Sequence, residues 1–192
     1  MNRTLLLMVL IASAAPCFAE ESPARLPQPS YSRQASDPAW LTEVVQIHGH
    51  LGPAVVAGAR IGMAGLRAVD AKGFFDVDVA CEGPLAKPPQ SCFLDGVQSG
   101  TGATLGKRNL RWVQGDHLIV RIKNTRSGKS AELRPTPALV SLLAWDKPVV
   151  SAGKSAEDSG HRDHVEALAR NIAAMPDQEI LTVTTIAEAR TK

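Results

Sequence analysis

The chain has 192 residues, 44% of them hydrophobic and 21% charged, and 21 basic against 19 acidic side chains leave a formal charge of +2. That length and apolar fraction fit one ordinary globular domain with room for a core. A near-neutral balance, scattered basic residues and an aromatic content of 4% exclude a nucleic-acid-binding or polyanion-binding face.

Arg3, the apolar run Leu5 to Ala15 and the small-residue site Pro16-Cys17-Phe18-Ala19 ahead of Glu20 form the pattern of an export signal. Residues 1–19 are therefore expected to be removed near Ala19, which takes Cys17 with them and gives a periplasmic protein. The run is far shorter than the ~20 apolar residues of a membrane span, and Ala14 and Pro16 do not suit lipidation of Cys17. Residues 20–37, rich in Pro, Ser and Gln, read as a flexible leader, and residues 38–192 as the domain.

Ser36-Asp37-Pro38 predicts a helix start, a capping side chain followed by proline in the first turn. Trp40, Leu41, Val44, Val45 and Ile47 give that helix an apolar face, and Gly49 ends it between His48 and His50. Pro53 opens a second helix to about Val69, with Ala54, Gly58, Gly62 and Gly65 as a small-residue stripe. Interior glycine costs a helix ~1 kcal/mol each, so the stripe predicts another backbone packed against it. Phe75, Val77, Val79 and Cys81 alternate with Asp76, Asp78 and Ala80 as a half-buried strand. Ser91 is the expected N-cap of a third helix that carries Cys92 in its first turn, then Asp95, Gly96, Ser99 and Gly100.

Leu110 to Val113 and His117 to Lys123 read as two strands joined by a turn at Gln114-Gly115-Asp116. Ser130 to Arg134 is a further strand, and Thr136-Pro137 begins a short helix ending near Trp145. Ser151 to Ser159 is a polar loop. A last helix runs from about His161 to Met175 with Val165, Leu168, Ala169, Ile172 and Met175 on one face, and Ile180 to Ile186 closes the chain as a strand. Helices and strands mix without a regular βαβ rhythm, so the fold class is α+β.

Three groups of residues carry chemistry. His48, His50 and Cys92 are soft donors and would make a three-ligand metal site with one position open to water or substrate. Zinc is the default ion for this set, and nickel or copper would accept it. Cys92 in a first helical turn sees the positive end of the helix dipole, which favours the thiolate. The alternative for the two mature cysteines is a Cys81–Cys92 disulfide closing the loop Glu82 to Ser91. Second, glycines and Lys107 in Gly102 to Asn109 could cradle a small anion, although Arg108 stands where a phosphate-binding loop needs a hydroxyl. Third, Asp95 shares a helix face with Gln98 and would orient a histidine or act as general base. His161 and His164 in His161-Arg162-Asp163-His164 are three apart on a helix face and could share a metal, but the segment reads as a solvated helix start. No Gly-x-Ser-x-Gly elbow or dinucleotide fingerprint is present.

The run His48-Gly49-His50-Leu51-Gly52-Pro53, followed by Cys92-Phe93-Leu94-Asp95-Gly96-Val97-Gln98 and Gly102-Ala103-Thr104-Leu105-Gly106-Lys107-Arg108-Asn109-Leu110, resembles the FmdE family. That family takes its name from the molybdenum formylmethanofuran dehydrogenase operon. The resemblance extends over Trp40 to Leu118. It implies a single metal-binding α+β core domain, a mixed or antiparallel sheet packed against helices, with the His/Cys set as its site. It also implies a functional Cys92, at the position of the family's cysteine ahead of Asp-Gly-Val-Gln, and a homodimer with Gly58 to Gly65 at or near the interface. No cysteine follows Cys92, so the zinc finger of many family members has no counterpart here, and a role as part of the dehydrogenase is not carried over. The expected function is binding or handling of a divalent transition metal, together with a small anionic ligand. The alternatives are a metal- or thiol-dependent enzyme using Cys92, Asp95 and Lys107 on a small polar substrate, and a disulfide-stapled structural domain.

Overall fold

The structure is a computed structural model and describes residues 26–143 and 159–186. The stretch read as an export signal, the first part of the expected leader, Trp145 and most of the loop before Ser159 lie outside the described residues.

The elements follow in the order α1 (Ala39–His48), α2 (Pro53–Val69), β1 (Val77–Glu82), α3 (Cys92–Thr101), β2 (Leu110–Val113), β3 (Ile119–Asn124), β4 (Ser130–Pro135), α4 (Pro137–Leu143), α5 (Ser159–Ala174), α6 (Asp177–Ile180) and β5 (Leu181–Ile186). The strands make one five-stranded mixed sheet in the order β2-β1-β3-β4-β5, parallel only between β1 and β2. The fold is α+β. Among the described residues no helix is long and apolar enough to cross a membrane.

The predicted hairpin of β2 and β3 does not form. The two strands flank β1 on opposite sides, Val79 lying opposite Leu110 of β2 and Ile122 of β3. Gln114-Gly115-Asp116 instead carries the chain across the end of β1, where a Cβ on Gly115 would stand 2.7 Å from Glu82 Cγ. Turn composition is satisfied by either path, so local sequence does not separate them. Phe75 lies ahead of β1 and is 77% exposed, whereas Val77, Val79 and Cys81 point into the core as their alternation requires.

Helix α2 is the centre of the molecule. It packs on α1, α3, α5 and on strands β3 to β5, and most of its residues are buried. Its glycine stripe is consumed inside the chain. A Cβ on Gly58 would run into the Phe93 carbonyl of α3, and one on Gly96 or Gly100 of α3 would meet the Val55 or Ala59 carbonyl of α2. Gly65 faces Ile122 and Leu133 of the sheet instead. The two helix backbones thus meet through facing glycines, and the stripe itself is packed within the chain.

Two predicted caps are absent. Neither Asp37 nor Ser91 hydrogen-bonds to the first turn of its helix. Asp37 turns inward, 6% exposed, and accepts bonds from the Tyr31 hydroxyl at 2.7 Å, the Gln34 amide at 2.8 Å and Arg170 Nε at 2.9 Å. The leader is therefore tied to α5 across the domain. Arg60 of α2 fixes the other end of α5, donating to the carbonyls of Ile172, Ala173 and Met175 and to Asp177 at 2.6–3.0 Å. A guanidinium on the last carbonyls of a helix satisfies groups that have no partner within it.

Candidate functional site

Four helix ends converge on one place. The α1 C-terminus carries His48. Gly49 then takes a left-handed conformation at φ 92° and bonds back to Val45, which turns the chain so that His50 follows close by. A backbone bond from Ser30 to the Gly49 carbonyl at 2.7 Å and a bridge between Ser30 and His50 hold this turn from the leader side. Pro53 starts α2 immediately afterward, and the first turn of α3 supplies Cys92 and Asp95.

The Asp95 carboxylate lies 2.8 Å from His48 Nδ1. The His48 side chain is only 7% exposed, and its Nε2 is buried with no hydrogen-bond partner. Asp95, and after it Cys92, push the His48 imidazole up to about 9, against burial. The Cys92 sulfur thus acts on His48 electrostatically, although nothing meets Nε2 in hydrogen-bonding geometry. The His50 ring centroid lies 4.6 Å from that of His48. Burial and then the His48 charge hold the His50 imidazole below its ordinary value.

His48, His50 and Cys92 line a common cavity of about 520 Å³. Cys81 is elsewhere, wholly buried in β1, where desolvation pushes its thiol up to about 12. Both cysteines are free thiols, so the disulfide alternative is not the arrangement found. Among the described residues, no three His, Cys, Asp or Glu side chains stand gathered as a metal-ligand group.

Lys107 belongs to a different place. It lines a cavity of about 380 Å³ with Trp40, Ile47, Met63, Phe74 and Gln98, and its ammonium lies over the Phe74 and Phe75 rings at 5.8 and 5.5 Å. Several of the amides expected to cradle an anion are already used. Thr104 donates to the Asn109 side chain, Lys107 to the Thr104 hydroxyl and Arg108 to the Leu105 carbonyl. Asp95 and Gln98 also part company, the one turned to His48 and the other to the Lys107 cavity.

Sequence reasoning weighs His161 with His164 as a metal-sharing pair and sets both aside as a solvated helix start. His161 sits in the first turn of α5 and lines the same cavity as His48, His50 and Cys92, together with Val165. The available signal was its spacing. His161 precedes Val165 by one turn and so extends the apolar face that packs α5 on the domain.

Taken together, these features describe an α+β protein whose histidine- and thiol-lined cavity is built from helix ends. The profile of the FmdE family (FmdE, molybdenum formylmethanofuran dehydrogenase operon) matches residues 47–182, well over half of the chain and including all of these side chains. The chain belongs to that family. No curated protein matches it. Among solved structures it is similar to a tungsten formylmethanofuran dehydrogenase FmdE-like protein from Syntrophus aciditrophicus, with 16% identity, 79% of this chain and 72% of that chain covered, and a TM-score of 0.49.

Proposed function

We propose that this protein is exported to the periplasm and there binds one divalent transition metal through His48, His50 and Cys92, zinc by default and nickel or copper by the same donor chemistry. The observation that carries the reading is His48 Nε2, a buried nitrogen without a hydrogen-bond partner, on a ring that lines one cavity with His50 and Cys92. A buried polar atom left unpaired costs about 1–3 kcal/mol, and an ion at that position would remove the cost. The opposite nitrogen already has the carboxylate that metal-bound histidines use to fix ring orientation and tautomer.

In this reading Asp95 holds the His48 ring, His50 stays neutral with its lone pair available, and Cys92 supplies a thiolate. A bound ion would supply Lewis acidity to whatever shares the cavity. Lys107 has no part in the site. Export rests on the sequence of residues 1–19.

The test is elemental analysis and a free-thiol count on the mature protein purified from periplasm. One metal ion per chain, lost in His48→Ala and Cys92→Ala, is the expected result. A metal-free protein with both thiols titratable, and no uptake of added zinc, nickel or copper, would end the metal reading.

A further inference from the structure

We propose that α5 supplies a fourth donor to the same ion, His161, so that the site is closed by protein side chains instead of keeping a position open. The inference rests on the metal reading above and sharpens it from binding in general to holding.

The lining of the cavity carries the argument. Apart from His48, His50, Cys92 and His161, its walls are glycine, proline, alanine and valine, whose side chains donate to nothing. An ion on the first three would find in His161 the one remaining side-chain donor of that lining. His161 is exposed, and no described residue hydrogen-bonds to its imidazole. Because no three donors stand gathered among the described residues, the set has to close around the ion. An unheld side chain on the cavity rim can do so at little cost.

The position of α5 is also fixed by the rest of the fold. Arg60 anchors its C-terminal end, and Arg170 at its middle is bonded to Asp37 at 2.9 Å. Asp37 in turn holds the leader, whose Ser30 pairs with His50. The segment that places His50 and the helix that places His161 are thus joined by one buried ion pair. Three imidazoles and a thiolate would fill a four-coordinate ion, whereas a catalytic site keeps a position for water or substrate.

The test uses cobalt(II) as the probe on the full mature protein. Wild type is expected to give intense d–d absorption of a four-coordinate ion together with thiolate-to-cobalt charge transfer. His161→Ala should keep the charge-transfer band, weaken and shift the d–d bands, and lower cobalt affinity about tenfold or more in competition with a chelator. Added imidazole should restore the wild-type spectrum. His164→Ala, also on α5 but absent from the cavity lining, should match wild type. Unchanged bands and affinity in His161→Ala, with cobalt still bound, would overturn the fourth donor and leave the three-ligand reading intact. A wild type that takes up no cobalt would remove both.

Discussion

Asp95 of α3 meets His48 of α1 across 2.8 Å, joining two helix ends that are 47 residues apart in sequence. The contact fixes the orientation of the ring and engages its Nδ1, leaving Nε2 without a hydrogen-bond partner. Removing the carboxylate in Asp95→Ala is expected to reduce metal affinity 10- to 100-fold, the usual effect of losing such a partner. In the metal-free protein the His48 imidazole should fall from about 9 toward its ordinary 6.5. Imidazole proton shifts followed by NMR across that range read the second effect directly. An unchanged titration would mean that Asp95 does not govern the ring.

The elevated His48 value also gives the proposed metal binding a pH dependence. Below about 9 the ring is protonated in the metal-free chain, and that proton must leave before the nitrogen can bind an ion. Because the Cys92 thiol must also shed its proton to bind as thiolate, apparent affinity should rise at least roughly tenfold per pH unit between 7 and 9. Stability of the metal-free protein has the opposite slope. A group raised above its unfolded value contributes fully below 6.5 and loses the contribution as pH climbs through 9. Urea unfolding at pH 7 and pH 9.5, with and without zinc, should show the two trends crossing.

The two thiols should be chemically distinct. Cys81 is 0% exposed and pushed up to about 12 by burial, so a thiol reagent should reach it only when the protein opens. Cys92 lies at the cavity and is partly exposed. One thiol is expected to react promptly in the metal-free native protein and two after denaturation, and bound metal should protect the prompt one. No prompt thiol before or after reduction would count against the arrangement of the cavity.

Much of the fold was legible because its signals are local. Pro53 and the apolar spacing from Ala54 onward define α2, and strict alternation from Val77 to Cys81 defines β1. The facing glycines of α2 and α3 could be read as a close backbone contact, but sequence did not say whether the partner was within the chain or in another copy. What escaped depends on distant partners. Leu110 to Val113 reads equally well as half of a hairpin or as the parallel neighbour of β1, and α6 is a single turn. Asp37 has the look of a helix cap, yet a guanidinium 133 residues away claims it. The site divides in the same way. His48, His50, Cys92 and Asp95 were named from residue type, spacing and the family resemblance; the first three line one cavity and Asp95 contacts His48, but no three of them stand gathered as a metal-ligand group. Lys107 was named as the counter-charge of an anion cradle in a glycine-rich stretch, and it lines a different cavity. His161 was set aside because its neighbours Arg162, Asp163 and His164 make the segment look solvated, which most of it is.

The pair that sequence misread as a cap should matter most for coupling fold to site. The Asp37 side chain is 3% exposed and that of Arg170 16%, and breaking a buried pair by removing one partner costs on the order of 3 kcal/mol. Asp37→Ala should lower urea stability by that order and also loosen the leader strand against His50, so zinc affinity should drop although no donor is touched. The paired guanidinium and the Gln34 and Tyr31 bonds outweigh burial and hold Asp37 below its ordinary carboxylate value. A depressed value contributes stability at pH values above the unfolded one and loses it as pH falls through the folded one. The stability difference between wild type and Asp37→Ala should therefore be full near neutrality and shrink only in strong acid, below about pH 4. A variant that unfolds like wild type but binds zinc more weakly would separate the two roles. One that matches wild type in both would show that the Asp37–Arg170 bridge does not tie α5 to the leader.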